Sequence, residues 1–240
     1  MAEIAYVPGV AIQTSQAQNP LRHSALVRGT HWIFAVSFFG LVLSGLAIIL
    51  AHPHFYWGET GGIGTPSLFD LPFRTRQGGP SGWGRSLHFL SAWIAVLTGA
   101  VYAIYGILTQ HFRREFIPAP TELSGRSLRT SLLDHLRFKR PLEGESYNVL
   151  QRLSYLTITF LIFPLIIVTG LAMSPVITAV VPQVVTVFGG HQSARTIHFF
   201  LADLLISFLI VHVAMVMVAG FSSRMRAMIL GRATTRKETV

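Results

Sequence analysis

The sequence predicts an all-α membrane protein, a four-transmembrane-helix bundle with both termini cytoplasmic. Of its 240 residues 51% are hydrophobic and only 12% are charged. A single soluble core of this size cannot hide so much apolar surface. Four apolar stretches also approach or exceed ~20 residues, the length of helix that crosses a hydrocarbon core of ~30 Å. Finally, Lys and Arg concentrate on one side of these stretches.

The predicted spans and domain limits follow from the position of the apolar stretches. The first span is too long for the apolar part of a signal peptide and follows a polar tail, so we predict that it is retained. One four-helix domain is expected over residues 21–232, between a flexible tail at 1–20 and a second tail at 233–240. Pro164 is expected to kink the third span. The spans are predicted at 30–51, 87–109, 150–173 and 196–220.

The distribution of basic residues sets the predicted topology. Fifteen Lys and Arg lie in or beside the two terminal tails and the second loop, whereas four lie on the opposite side. The positive-inside rule therefore places both termini in the cytoplasm. The same bias accounts for the net charge of +9 without nucleic acid, for which the chain carries no motif. The outer loop, 51–86, fits either interfacial anchoring by Tyr56 and Trp57 or docking of an extracytoplasmic partner.

Histidines are the available ligands for a redox centre. The chain has no cysteine, which excludes disulfides, cysteine-ligated iron–sulfur clusters and covalently attached c-type haem. His31 opens span 1 on the cytoplasmic side, and His88 opens span 2 on the outer side. In span 4, His198 and His212 are fourteen residues apart, which is ~40° short of four full turns and ~21 Å along the helix.

This spacing predicts two b-type haems, each held by two histidines. His88 and His198 pair at the outer level, and His31 and His212 pair at the inner level. Two axial imidazoles leave no open position for oxygen on the iron, which favours electron transfer. The other six histidines are predicted to lie in loops or at the interface. Asp203, the only acid within a span, faces ~140° away from His198 and receives no role.

Arginines and glycines near the four histidines are further candidates for haem binding. Arg28, Arg85 and Arg195 each precede a histidine by three residues. Each therefore shares a helical face with it and could pair with a haem propionate. The alternative is that these arginines mark span ends. Gly45 and Gly99 would allow a haem to approach the backbone, although ordinary packing of small residues explains them equally well.

Six segments of the chain together resemble a known family. They are RHSALVRGTHW at 22–32, HPHFYWG at 52–58, RSLHFLSAW at 85–93, YNVLQRLSYL at 147–156, TGLAMSP at 169–175 and GGHQSARTIHF at 189–199. The pattern resembles the di-haem cytochrome b subunits of formate dehydrogenases and nickel–iron hydrogenases, within the bacterial cytochrome b561 superfamily. It is most similar to the thiosulfate reductase cytochrome b-like subgroup. The resemblance implies two haem b groups and the same four ligands.

The resemblance also implies a quinone site and a partner. Formate dehydrogenase members carry a Y-N-x-x-Q motif beside the inner haem, and here its residues are Tyr147, Asn148 and Gln151. Amide groups of this kind can hydrogen-bond a quinone carbonyl, although helix capping explains the motif equally well. The implied setting is a bacterial inner membrane, in contact with lipid. The implied partner is a periplasmic oxidoreductase, such as a molybdopterin enzyme of the sulfite oxidase type.

We therefore expect an electron-transfer subunit that connects a periplasmic oxidoreductase to the quinone pool. On its own it would catalyse at most quinone oxidation or reduction. The main alternative is a stand-alone b561-type redox enzyme, such as a superoxide:quinone oxidoreductase. A small transporter is a third hypothesis, but it predicts acids or broken helices at the midplane, where only Asp203 fits. The oligomeric state stays open, with a homo-oligomer within a complex as one option.

Overall fold

A computed structural model describes residues 24–62, 64–72, 82–118, 120–137 and 149–231, and these are mostly helical. Four segments among them are long and apolar enough to cross a membrane. The predicted all-α fold with four membrane-spanning helices is therefore confirmed, whereas the side on which the termini lie stays a prediction. The spans are Ala25–Ala51 (α1), Trp83–Leu108 (α2), Val149–Ala172 (span 3) and His191–Val218 (α9).

Three of the four spans begin four or five residues earlier than predicted. The helices extend from the apolar stretches into flanking polar segments, where side chains can satisfy the free ends of the backbone. At the start of α1, Ser24 is the N-cap, and its Oγ accepts a hydrogen bond from the Val27 amide at 3.3 Å. Hydropathy alone does not detect this start because Arg28 and Gly29 separate the first three helical residues from the predicted span.

Span 3 is not a regular α-helix. It consists of α5 (Val149–Thr157), a π-helical turn (Ile158–Ile162) and α6 (Phe163–Ala172). Pro164 lies in the first turn of α6 and has no N–H to donate to the carbonyl four residues earlier, so the regular ladder is interrupted there. The structure thus has a π-helical turn just before the proline, whereas the kink expected at Pro164 stays a prediction.

Two short strands and several short helices connect the spans, and one further helix follows the last span. The strands are antiparallel, with His54 opposite Asp70 and Phe55 opposite Phe69. The strands are β1 (His54–Phe55) and β2 (Phe69–Asp70), and the short helices are α3 (His111–Glu115), a 3-10 turn (Pro120–Leu123), α4 (Gly125–Leu136), α7 (Pro175–Val180), α8 (Gln183–Thr186) and α10 (Phe221–Leu230).

The two ends of the bundle are distinguished by their contacts. The Tyr105 hydroxyl donates to Ser24 Oγ at 3.1 Å, and Arg28 Nη1 donates to the Ile229 carbonyl at 3.3 Å. The end of α2, the start of α1 and α10 therefore share one end, which we call the terminal side. The opposite end carries β1 and β2, and we call it the hairpin side.

The spans pack mainly as two pairs. Helix α1 lies along α2, where a Cβ added to Gly84 would come within 3.3 Å of the Ala47 Cβ. Span 3 lies along α9 around four buried apolar side chains. Small residues at such contacts let membrane helices approach closely. The buried side chains between span 3 and α9 are Ile158, Ile162, Leu201 and Leu205.

Candidate functional site

Two predicted ligands lie face to face at the hairpin side. His88 is in the second turn of α2, and His198 is in the third turn of α9. Their ring centroids are 6.2 Å apart, and the rings are inclined by 63°. Two imidazoles that bind one metal ion from opposite sides, through bonds of about 2 Å, hold their ring centres roughly 6 Å apart. The structure therefore brings this predicted pair together at a separation that suits a shared metal.

The hydrogen bond made by His88 defines its tautomer. Its Nδ1 lies 3.0 Å from Ser44 Oγ, and the Ser44 hydroxyl donates its proton to the Gly40 carbonyl at 2.6 Å. A hydroxyl has one proton, so Ser44 must accept a hydrogen bond from Nδ1–H. The Nε2 of His88 then carries the free lone pair, which is the form that binds a metal.

His198 has the same arrangement with a different span. Its Nδ1 lies 3.0 Å from Thr169 Oγ1, and Thr169 donates its own proton to the carbonyls of Leu165 and Ile166, both at 2.9 Å. Thr169 therefore accepts from Nδ1–H, and Nε2 is again left for a metal. Both histidines of the pair are thus oriented by a hydroxyl from a neighbouring helix.

A glycine follows each of these hydroxyl residues. A Cβ added to Gly170 would lie 3.4 Å from His198 Cε1, and one added to Gly45 would lie 3.9 Å from His88 Cε1. The structure therefore places Gly45 beside His88, whereas a Cβ at Gly99 would meet nothing within 4 Å. The haem contacts of Gly45 and Gly99 stay predictions.

Sequence reasoning missed Ser44, Thr169 and Gly170 as parts of this site. The available signal was a hydroxyl–glycine dipeptide that occurs near the hairpin-side end of both span 1 and span 3, as Ser44–Gly45 and Thr169–Gly170. Only the packing of α1 on α2, and of span 3 on α9, makes it clear that each dipeptide lies against a histidine of the neighbouring helix.

Arg195 binds the loop that carries β1 and β2, which we call the hairpin. Its guanidinium donates to the carbonyl of His54 at 3.0 Å and to the carbonyl of His52, and it lies 4.8 Å above the ring of Phe55. Burial, followed by the positive charges of Arg195 and Arg85, lowers the pKa of His52. The predicted pairing of Arg28, Arg85 and Arg195 with propionates stays a prediction.

The hairpin is fastened to the start of α9. The Gly58 amide donates to Ser193 Oγ at 2.8 Å, and the Gly58 carbonyl accepts from the Gln192 amide at 3.0 Å. Thr196 Oγ1 donates to the Tyr56 carbonyl at 2.8 Å. Gly190 has φ 121°, and any side chain there would collide with Gly58. These bonds fix the loop directly above His198.

An aromatic cluster fills the space beneath the hairpin. Phe55 is only 1% exposed, and its ring lies 4.7 Å from that of Phe69 and 4.5 Å from that of Phe199. Trp57 in the same loop is 59% exposed. The loop is therefore ordered on its inner face while Trp57 projects outward, which suits either interfacial anchoring or docking of a partner.

The second predicted pair lies toward the terminal side. The His31 ring meets that of Trp32 edge-on at 5.3 Å, and the His212 ring stacks on that of Phe208 at 5.9 Å. His212 is fourteen residues beyond His198 on the uninterrupted helix α9. The pairing of His31 with His212 across one haem stays a prediction.

The predicted quinone residues are only partly covered by the structure. Tyr147 and Asn148 lie outside the described residues. Gln151 lies in the first turn of α5 and is half-buried. The assignment of these three residues to a quinone site stays a prediction.

Comparison with known proteins identifies the family. Residues 22–231 match the family described as prokaryotic cytochrome b561. The chain belongs to this family. This cytochrome is also 32% identical over 197 residues to the "Putative protein-methionine-sulfoxide reductase subunit YedZ1" of Azospira oryzae, covering 81% of this chain and 89% of the relative. No solved structure matches it.

Family membership confirms the resemblance to the b561 superfamily, while the thiosulfate reductase-like subgroup stays a prediction. The protein is a multi-pass integral membrane cytochrome that binds haem b and serves as an electron-transfer subunit. The donor set at the hairpin side fits this cofactor, because two neutral imidazoles are the axial ligands that a six-coordinate b haem requires.

Proposed function

We propose that this cytochrome carries electrons between an oxidoreductase on its hairpin side and membrane quinone, through two b haems. The observation that supports this most directly is the His88–His198 pair, with rings 6.2 Å apart and each Nδ1 bonded to a hydroxyl. Haem supplies reversible one-electron chemistry when it is bound. His88 and His198 would hold the iron of this haem as two oriented imidazole ligands, which would disfavour oxygen chemistry.

The second haem would be held by His31 and His212 near the terminal side. Its support is the position of His212 on α9, ~21 Å from His198 along a helix without interruption. Two sites at these depths would carry electrons across a large part of the low-dielectric core. We also propose that both chain termini lie in the cytoplasm, which puts the hairpin and its partner on the outer side.

The proposed partner is a periplasmic oxidoreductase. The relative from Azospira oryzae is named as a reductase subunit, which supports a role as the membrane part of a larger enzyme. The hairpin adds to this support, because it is held rigidly above His198 and presents Trp57 and Leu68, both more than half exposed. Exposed aromatic and apolar side chains on an ordered loop suit a docking surface.

Haem counting with single variants tests this proposal. Purified protein should contain about two haem b groups per chain in a reduced-minus-oxidised spectrum and a pyridine haemochrome assay. His198→Ala should lose one haem and His212→Ala the other, because each removes an axial ligand from only one site. His191→Ala is the matched control, since it lies on α9 but is not a proposed ligand, and it should retain both. A wild-type content of one haem or less would contradict the two-haem proposal.

A further inference from the structure

A cavity lies between α1 and α10 on the terminal side. Its volume is about 520 Å³, and it is a shallow depression that is largely open to its surroundings. This volume falls within the range of roughly 300–1,000 Å³ that small-molecule sites occupy. The lining is mostly apolar or aromatic with a single charged side chain, as is typical of such sites. The lining residues are Ala25, Arg28, Gly29, Trp32, Met228 and Ile229.

The walls of the cavity are fixed by two hydrogen bonds. Arg28 Nη1 donates to the Ile229 carbonyl at 3.3 Å, and Trp32 Nε1 donates to the Met228 carbonyl at 3.2 Å. Both bonds run from α1 to α10, so they hold the short helix against the span. A Cβ at Gly29 would meet nothing within 4 Å, which leaves open space beside the helix backbone.

Arg28, which lines the cavity, has one donor without an acceptor among the described residues. Arg28 Nε is buried, and no hydrogen-bond partner for it exists among the residues that the structure describes. Leaving a buried donor unpaired is unfavourable, so this N–H suits an acceptor that enters from outside. Trp32 is a second feature that suits a ligand, because its indole N–H already donates to the Met228 carbonyl while the residue remains 37% exposed.

These features match the chemistry of a quinone head group. A quinone is a flat apolar ring with carbonyl acceptors, and it requires few donors and an aromatic or aliphatic wall. An anionic phosphate normally takes several donors or cations, whereas Arg28 is the one charged residue of this lining within the part of the chain that the structure describes. The cavity also adjoins a proposed haem ligand, because the Trp32 ring contacts that of His31 at 5.3 Å.

We propose that the cavity between α1 and α10 binds the quinone head group, with the Arg28 guanidinium donating to a quinone carbonyl and Trp32 lining the ring. This proposal rests on the quinone function proposed above. It places the head group at the start of span 1, whereas the Y-N-x-x-Q motif lies at the start of span 3. It also assigns Arg28 to quinone in preference to a haem propionate.

The test uses the full-length haem-loaded protein in nanodiscs. The haems are reduced with stoichiometric dithionite and mixed with decylubiquinone, and haem reoxidation is followed by stopped flow. Gly29→Leu fills the cavity and removes no hydrogen bond. It should raise the decylubiquinone concentration for half-maximal reoxidation by about tenfold or more. Gly125→Leu is the matched control, because a Cβ there also meets nothing within 4 Å, and it should match wild type.

Arg28→Gln tests the hydrogen bond itself. It should raise the half-maximal decylubiquinone concentration while both haem potentials stay at their wild-type values. A shifted haem potential with unchanged quinone dependence would assign Arg28 to a propionate and overturn the proposal. If removal of phosphatidylglycerol from the nanodiscs reproduces the Gly29→Leu effect, the cavity is a lipid site and the proposal is likewise wrong.

Failure of the cavity proposal and failure of the proposed quinone function would give different experimental results. If wild-type haem is not reoxidised by decylubiquinone, the quinone function fails and the cavity proposal fails with it. A second result is that wild-type haem is reoxidised, that Gly29→Leu reacts like wild type, and that Gln151→Ala is reoxidised less readily. In that case quinone binds at the start of span 3. The function then stands and only the cavity proposal is overturned.

Discussion

Replacing Thr169 with valine should raise the reduction potential of the hairpin-side haem. Thr169 Oγ1 accepts the Nδ1–H of His198 at 3.0 Å, and valine keeps the shape of the side chain without the acceptor. A hydrogen bond from Nδ1–H makes the imidazole a stronger electron donor, which stabilises ferric over ferrous iron. Loss of this bond should therefore favour the ferrous state.

The magnitude follows from the strength of one neutral hydrogen bond. Such a bond contributes about 0.5–1.5 kcal/mol net. For a one-electron couple, ~59 mV corresponds to a tenfold change in the equilibrium constant, or ~1.4 kcal/mol. If the whole bond acts on one oxidation state, the upward shift is roughly 20–60 mV. Ser44→Ala should act in the same direction through His88.

A spectroelectrochemical titration of purified protein measures this shift. Thr169→Val should move the potential of one haem upward and leave the other, ~21 Å away along α9, at its wild-type value. Thr169→Ser keeps the hydroxyl and should restore the wild-type potential, which separates the hydrogen bond from general loosening of the site. A downward shift, an equal shift of both haems, or no shift in Thr169→Val would refute the reasoning.

Three further outcomes are expected. Gly170→Leu should lower haem content, measured by pyridine haemochrome, because a Cβ there would already lie 3.4 Å from His198 Cε1. Arg195→Gln should destabilise the hairpin by about 1.5–3 kcal/mol through loss of charged hydrogen bonds, measured by thermal unfolding and by hydrogen exchange at residues 52–58. Burial lowers the pKa of His52 below its ordinary value of 6.5, so as the pH falls the unfolded state binds a proton at this side chain before the folded state does. Thermal stability should therefore fall as the pH drops below 6.5. The His52→Gln variant should reduce this dependence of stability on pH.

The four spans and the pairing of His88 with His198 could be predicted because both depend on patterns along the sequence, namely the length of apolar stretches and the positions of histidines within them. Hydropathy over ~20 residues reports insertion into lipid whatever the tertiary contacts are. The positions of His88 and His198 at the hairpin-side ends of two spans give their depth, and the structure brings their rings together. Helix geometry adds that His198 and His212 share nearly one face.

The residues that hold the ligands could not be predicted because they depend on which helices are neighbours. Ser44 serves a histidine of α2, and Thr169 serves one of α9, so each contact crosses between helices. Nothing in the sequence states that α1 packs on α2 while span 3 packs on α9. The role of Arg195 depends on the loop in the same way, since its acceptors are backbone carbonyls at 52 and 54 rather than side chains with a recognisable pattern.

The hairpin and His198 form one mechanical unit. Ser193, Arg195 and Thr196 bind the loop, and His198 follows two residues later on the same helix. A displacement of the loop by a docked partner would therefore reach His198 through less than one helical turn. His212 is fourteen residues further along, near the contact of Phe208 with Tyr155 of span 3. Docking of the proposed partner should thus alter the hairpin-side haem and leave the proposed terminal-side haem unchanged, so that the acceptor of electrons is adjusted independently of the proposed quinone site.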